Sequence, residues 1–77
     1  MLVYPNPARD RATVVYDDAM GAFTVTLING LGQSIAVDTI RMQGRMEIDL
    51  SAVPEGMYLV ALSNASGTLQ ERLLVQH

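Results

Sequence analysis

The sequence predicts an all-β fold, an antiparallel sandwich or barrel, from three observations. Apolar residues recur at every second position in several short runs. Turn residues separate those runs at intervals of roughly 8 to 12 residues. No window of about 12 residues keeps an apolar stripe at helical spacing without Gly or Pro interrupting it.

Leu2-Val3-Tyr4 is a short β-prone run. Pro5-Asn6-Pro7 ends it, because each proline lacks an N–H and disfavours helix in the residue before it. The run reads as an edge strand that leaves through a rigid bend. Residues 11–16 alternate, with Ala12, Val14 and Tyr16 opposing Arg11, Thr13 and Val15, and predict a second strand. Residues 17–21, Asp17-Asp18-Ala19-Met20-Gly21, predict a loop.

Residues 23–37 are expected to organise their neighbours. Phe23, Val25 and Leu27 share one face of a strand, and Thr24 and Thr26 share the other. Asn29, Gly30 and Gly32 then supply positions that tolerate positive φ, before Ile35 and Val37 resume the alternation. This is a hairpin, and it fixes register, since a slip of one residue would turn its apolar set outward. Gly30 or Gly32 is expected at positive φ, where a β-branched substitute costs roughly 1 kcal/mol or more.

Residues 38–44 lose the period, and Gly44 is the best turn residue before Arg45-Met46-Glu47-Ile48-Asp49-Leu50. Met46, Ile48 and Leu50 are expected in the core. After the bend at residues 51–56, residues 57–62 read MYLVAL without a polar break. Both faces of that run call for burial, so it is placed centrally, and Leu59→Ala is expected to cost about 2 to 5 kcal/mol. Residues 64–67 form a turn. The last strand, residues 69–76, has Leu69, Leu73 and Val75 on one side and Gln70, Arg72 and Gln76 on the other, with Leu74 breaking the pattern.

Composition narrows the function. At 77 residues the chain is one small domain, and without cysteine it has neither disulfides nor a thiolate metal site to reinforce its core. Eight acidic residues against five arginines give a net charge of -3. Those arginines are scattered among carboxylates, so nucleic acid is not an expected partner. No apolar run is long enough to span a bilayer.

Candidate chemistry is sparse. The single histidine, His77, is the last residue, where the backbone is expected to fray, so it is a poor catalytic base. Glu47 with Asp49, and Asp17 with Asp18, lack the Asp-x-Asp-x-Asp-Gly spacing that converges oxygens on calcium, and read as solvated carboxylates. Tyr4, Tyr16, Tyr58 and Phe23 are expected at core and boundary positions rather than in a sugar-stacking row. No cofactor, metal or catalytic residue is assigned, and the chain is read as a non-enzyme.

The order of motifs says more than any one of them. Tyr4-Pro5-Asn6-Pro7, then a strand pair turning at Gly30 and Gly32, then Ile48-Asp49-Leu50-Ser51, Gly56-Met57-Tyr58 and a final apolar strand together resemble the type IX secretion system C-terminal sorting domain. The likeness covers nearly the whole chain. It implies an immunoglobulin-like antiparallel β-sandwich of about seven short strands, with residues 1–77 as one sorting domain of a larger exported protein of the Bacteroidetes group. In that family the cargo in cis crosses the periplasm, an outer-membrane translocon and shuttle proteins recognise the domain, and a sortase usually removes it at the cell surface. The family motifs fall on Tyr4, Pro5, Asn6, Pro7, Gly30, Gly32, Gly56 and Tyr58. Recognition is also expected to involve the last strand through Arg72, Leu73, Leu74, Val75 and Gln76, docking with the machinery or forming a homodimer through an edge strand. Family members often carry lysines at that end, where this chain has Arg72 and Gln76-His77. The alternatives are an accessory fibronectin-like structural module and a carbohydrate-binding module of a secreted hydrolase.

Overall fold

The computed structural model describes residues 1–17 and 21–77, and the Asp18-Ala19-Met20 part of the expected acidic loop lies outside them. Among the described residues there is no helix. Eight strands follow one another: β1 (Leu2–Tyr4), β2 (Arg11–Val15), β3 (Thr24–Ile28), β4 (Ser34–Ile35), β5 (Thr39–Met42), β6 (Arg45–Asp49), β7 (Gly56–Asn64) and β8 (Gly67–Val75). They form two four-stranded antiparallel sheets, ordered β1-β2-β6-β5 and β4-β3-β7-β8. The chain is a β-sandwich.

The alternation read from sequence fills the space between the sheets. Val3, Ala12, Val14, Met46, Ile48 and Leu50 come from the first sheet and its flank; Leu27, Tyr58, Val60, Leu62, Leu73 and Val75 come from the second. No polar or charged residue is buried among the described residues. Such a core gains roughly 25 cal/mol for each Å² of apolar surface it removes from water, and has little else to hold it.

Four expectations need correction. Residues 39–42 form β5, a strand the lost period concealed. In register with β6, Thr39 and Arg41 lie opposite Ile48 and Met46 on the inner side, and Ile40 faces outward. The polarity is inverted because this edge overhangs the core, where the Arg41 guanidinium sits 3.9 Å from the centre of the Phe23 ring. β7 is central, between β3 and β8, but only its inner face is covered throughout. Met57 on the outer face is 54% exposed, Leu59 is half-buried and Ala61 alone is buried there. The Leu59→Ala cost therefore belongs to Leu62, which points inward. Leu69 shares the side of Leu73 and Val75 but remains 47% exposed, near the end of an edge strand.

The predicted hairpin is β3 and β4, joined through residues 29–33, although β4 is only two residues long. Asn29 organises the turn: its Oδ1 accepts the N–H groups of Leu31 and Gln33, each at 2.9 Å. Gly32 has φ 82, the left-handed region where a side chain is strained, while Asn29 and Gly30 stay out of it. The positive-φ expectation is thus met at Gly32.

Candidate functional site

The N-terminal motif and the C-terminal strand meet along one seam. After β1, the chain cannot continue in the first sheet, because Pro5 and Pro7 have no N–H for a ladder. Both the Tyr4-Pro5 and Asn6-Pro7 peptide bonds are cis. The chain crosses to the second sheet, and at Ala8 it pairs in parallel with Val75. Ala8 N–H donates to the Leu74 carbonyl at 2.8 Å, and Gln76 N–H donates to the Ala8 carbonyl at 2.8 Å. Ala8 is fully buried, and its single methyl group lets the two backbones approach.

Asn6 extends this pairing with its side chain. Its Oδ1 accepts the Leu74 N–H at 3.0 Å, and its Nδ2 donates to the Arg72 carbonyl at 3.2 Å. A carboxamide carries one acceptor and a donor in the planar arrangement of a peptide group, so Asn6 serves as a short piece of strand. Residues 5–8 are in effect a strap along the C-terminal half of the β8 edge.

Gly56 and Tyr58 lie across β7 from the same region, in register with Val75 and Leu73. Gly56 has φ 155 at the entry to β7, a backbone setting that favours glycine. The Tyr58 ring is buried, and its hydroxyl donates to the Pro54 carbonyl at 2.6 Å, tying the start of β7 to the preceding bend. The structure therefore brings Pro5, Asn6, Pro7, Gly56, Tyr58 and the last strand to one corner. Gly30 and Gly32 belong to the β3–β4 turn. Within the last strand, Leu73 and Val75 are in the core, Leu74 is half-buried, and Arg72 and Gln76 are exposed. Tyr4 stands exposed on β1.

His77 is not frayed as the sequence suggested. Its backbone N–H donates to Glu55 Oε1 at 2.9 Å, its Nε2 lies 2.6 Å from the Val53 carbonyl oxygen, and its Nδ1 lies 3.9 Å from Asp10 Oδ1. These contacts fasten the end of the chain to the bend before β7. Ala8 is the structurally decisive residue that sequence reading passed over, and Asn29, read there only as tolerant of positive φ, organises its turn through its side chain. Asn29 had a signal, an Asn that opens a Gly-containing turn and can accept from the backbone ahead of it; Ala8 had none.

The remaining polar groups do local work. Arg11 Nη1 and Glu47 Oε2 form an exposed ion pair at 3.3 Å, worth little in water. Asp49 Oδ1 accepts the backbone N–H and the hydroxyl of Ser51 at 2.9 and 2.7 Å, and the backbone bond first, then the hydroxyl, hold its carboxyl below the ordinary 3.8. Asp10, Asp38, Glu47 and Asp49 border an open cleft of about 420 Å³. Among the described residues no group of three or more His, Cys, Asp or Glu is placed to hold a metal ion. The Tyr16 ring packs edge-on to Phe23 at 4.7 Å, and its hydroxyl donates to the Met42 carbonyl at 2.8 Å. No helix is long and apolar enough to cross a membrane among the described residues.

The fold and the seam define a small β-sandwich module whose first and last segments are joined along one sheet edge. The chain belongs to the secretion system C-terminal sorting domain family, whose model matches residues 2–76. This is the type IX family that the motifs resemble, and it makes the chain a sorting signal for export across the bacterial outer membrane to the cell surface or the medium. No curated protein and no solved structure matches the chain.

Proposed function

We propose that residues 1–77 form the non-catalytic C-terminal address of a larger protein, carried in cis through the periplasm and read by the outer-membrane translocon of the type IX system. The family match over residues 2–76 carries this reading. The sandwich supplies a stable surface, and β8, nine residues long and at a sheet edge, supplies the handle. Shuttle proteins and a sortase act around the address, with the sortase cutting ahead of β1 during surface attachment. The proposed recognition residues are Tyr4, Arg72 and Gln76 on the surface, with Asn6 and the glycines holding the shape that is read.

The immunoglobulin-like character of the sandwich is supported by strand order. Across the sheets, the order β1-β2-β6-β5 fits that of strands A, B, E and D, and β8-β7-β3 that of G, F and C, with β4 added beside C. The Tyr58 bond back to Pro54 at the start of β7 fits the corner tyrosine of strand F. A carbohydrate platform is less well supported, since Tyr16, Phe23 and Tyr58 are committed to packing and internal hydrogen bonds.

A reporter with an export signal peptide, fused ahead of residues 1–77 in a type IX-competent bacterium, tests the address. Surface or extracellular delivery is expected; retention in the periplasm would favour the accessory-module reading.

A further inference from the structure

The outer edge of β8 is occupied over one half and open over the other. Leu74 turns both its N–H and its C=O away from β7, toward Asn6 and Ala8. The β7–β8 register runs without a bulge from Gly56↔Val75 to Asn64↔Gly67. By the alternation of an antiparallel ladder, Thr68 and Gln70 also turn their N–H and C=O groups outward, as does the Arg72 N–H. Among the described residues no strand lies beyond them in the sheet. The other edge strands, β1, β4 and β5, have three, two and four residues, so β8 is the longest edge the sandwich presents.

Beside the open half, a groove of about 560 Å³ lies where β8 meets β1, bordered by Leu2, Val3, Asn6, Gln70, Glu71 and Arg72. Glu71 takes the groove side, in register with inward-facing Val60, and Arg72 takes the outer side, in register with Leu59. The strap shows in miniature what such an edge accepts, an extended backbone at Ala8 and a peptide-like amide at Asn6.

We propose that residues 68–72 are a strand-addition site, through which an extended segment of the export apparatus pairs with the backbone of β8, and that Asn6 is the stop ending that pairing at Arg72. The added strand turns alternate side chains into the groove, where Glu71 suits a basic residue. This rests on the sorting reading above and moves its contact from the terminal residues to the middle of β8. Removing residues 74–77 is a poor test of it, because the deletion also takes Val75 out of the core.

Gln70→Pro is the clean test. Proline there removes only an outward N–H and leaves the ladder to β7, so the reporter fusion is expected to fold, with an unchanged circular dichroism spectrum. Its surface delivery is expected to fall by roughly tenfold or more, the loss of one or two main-chain bonds to a docked strand. Glu71→Pro, whose N–H faces β7, serves as the unfolding reference. If Gln70→Pro unfolds, Thr68→Pro repeats the test at the other outward N–H; unfolding of both means that these groups serve the fold, and overturns the site. Unchanged delivery after deleting residues 1–77 refutes the sorting reading itself. Delivery lost on deletion but normal with folded Gln70→Pro overturns the strand-addition site alone. A wild-type domain that sediments as a dimer, made monomeric by Gln70→Pro with delivery intact, assigns the edge to a second copy and overturns it too.

Discussion

Asn29 and Asn6 do the same job at opposite ends of the sequence scale. Each uses an exposed carboxamide in place of a peptide group: Asn29 accepts from backbone two and four residues ahead, while Asn6 bonds to backbone 66 and 68 residues ahead. The hydrogen bonds are of similar length, 2.9 Å in the turn and 3.0 to 3.2 Å in the seam. Their prerequisites differ. The turn closes a loop of a few residues and can form as soon as β3 and β4 meet. The seam requires both sheets to be in place, because closing so long a loop is entropically uphill until the core compensates. A bond of the first kind helps a sandwich to form; one of the second kind keeps it closed.

The largest expected effect separates core from surface in these two places. Leu73, fully buried under the seam, is expected to lose about 2 to 5 kcal/mol on substitution by alanine, enough to unfold much of so small a domain. Leu31, 84% exposed at the tip of the turn, is expected to change stability by no more than about 0.5 kcal/mol. Urea midpoints of Leu73→Ala and Leu31→Ala measure both, and equal midpoints would mean that the seam is not part of the cooperative core.

The asparagines themselves come next. Asn6→Ala removes two hydrogen bonds and is expected to cost about 1 to 2 kcal/mol, and Asn29→Ala about 1 kcal/mol. The sharper contrast is kinetic. Asn29→Ala is expected to slow folding, while Asn6→Ala leaves the folding rate alone and speeds unfolding. Amide exchange adds a local reading, since Leu74 N–H should lose protection in Asn6→Ala while Leu73 and Tyr58, paired within the ladder, keep theirs. Slowed folding in Asn6→Ala would place the seam in the folding nucleus and erase the distinction.

The same difference in range decides what could be read from the sequence. The inward alternation of Ala12 with Val14 and of Met46, Ile48 and Leu50 was legible, because a period of two is a local property of a half-buried strand. So was the turn at Gly32, whose φ of 82 is a local demand. β5 was not, because its inner residues are Thr39 and Arg41, and Arg41 is satisfied by Phe23, 18 residues away. Nor was the wet outer face of β7, since the run 57–62 is equally apolar whether one face or two are covered. Of the candidate site, Pro5-Asn6-Pro7 was legible as a bend. Its destination on β8 was not, as nothing near Asn6 in the chain names Leu74 or Arg72.

Asp49 offers a third, charged version of the local device and the smallest expected shift. Its carboxylate accepts two hydrogen bonds from Ser51, two residues ahead. The backbone bond and then the hydroxyl bond favour the ionised form in the folded state, the Arg11 charge adding least, so the folded-state value lies below 3.8. In that window the unfolded chain binds more protons than the folded one. The stabilisation is therefore complete above pH 3.8 and is lost as pH falls through the lowered folded-state value. Asn at this position still accepts the Ser51 N–H, as Asn29 accepts in its own turn, but carries no charge to titrate. Thermal unfolding of Asp49→Asn beside wild type, at about pH 6 and about pH 3, is expected to show wild type ahead at the higher pH and the gap narrowing at the lower. An identical gap at both values would mean that geometry alone holds this bend, and that charge distinguishes Asp49 from Asn29 in name only.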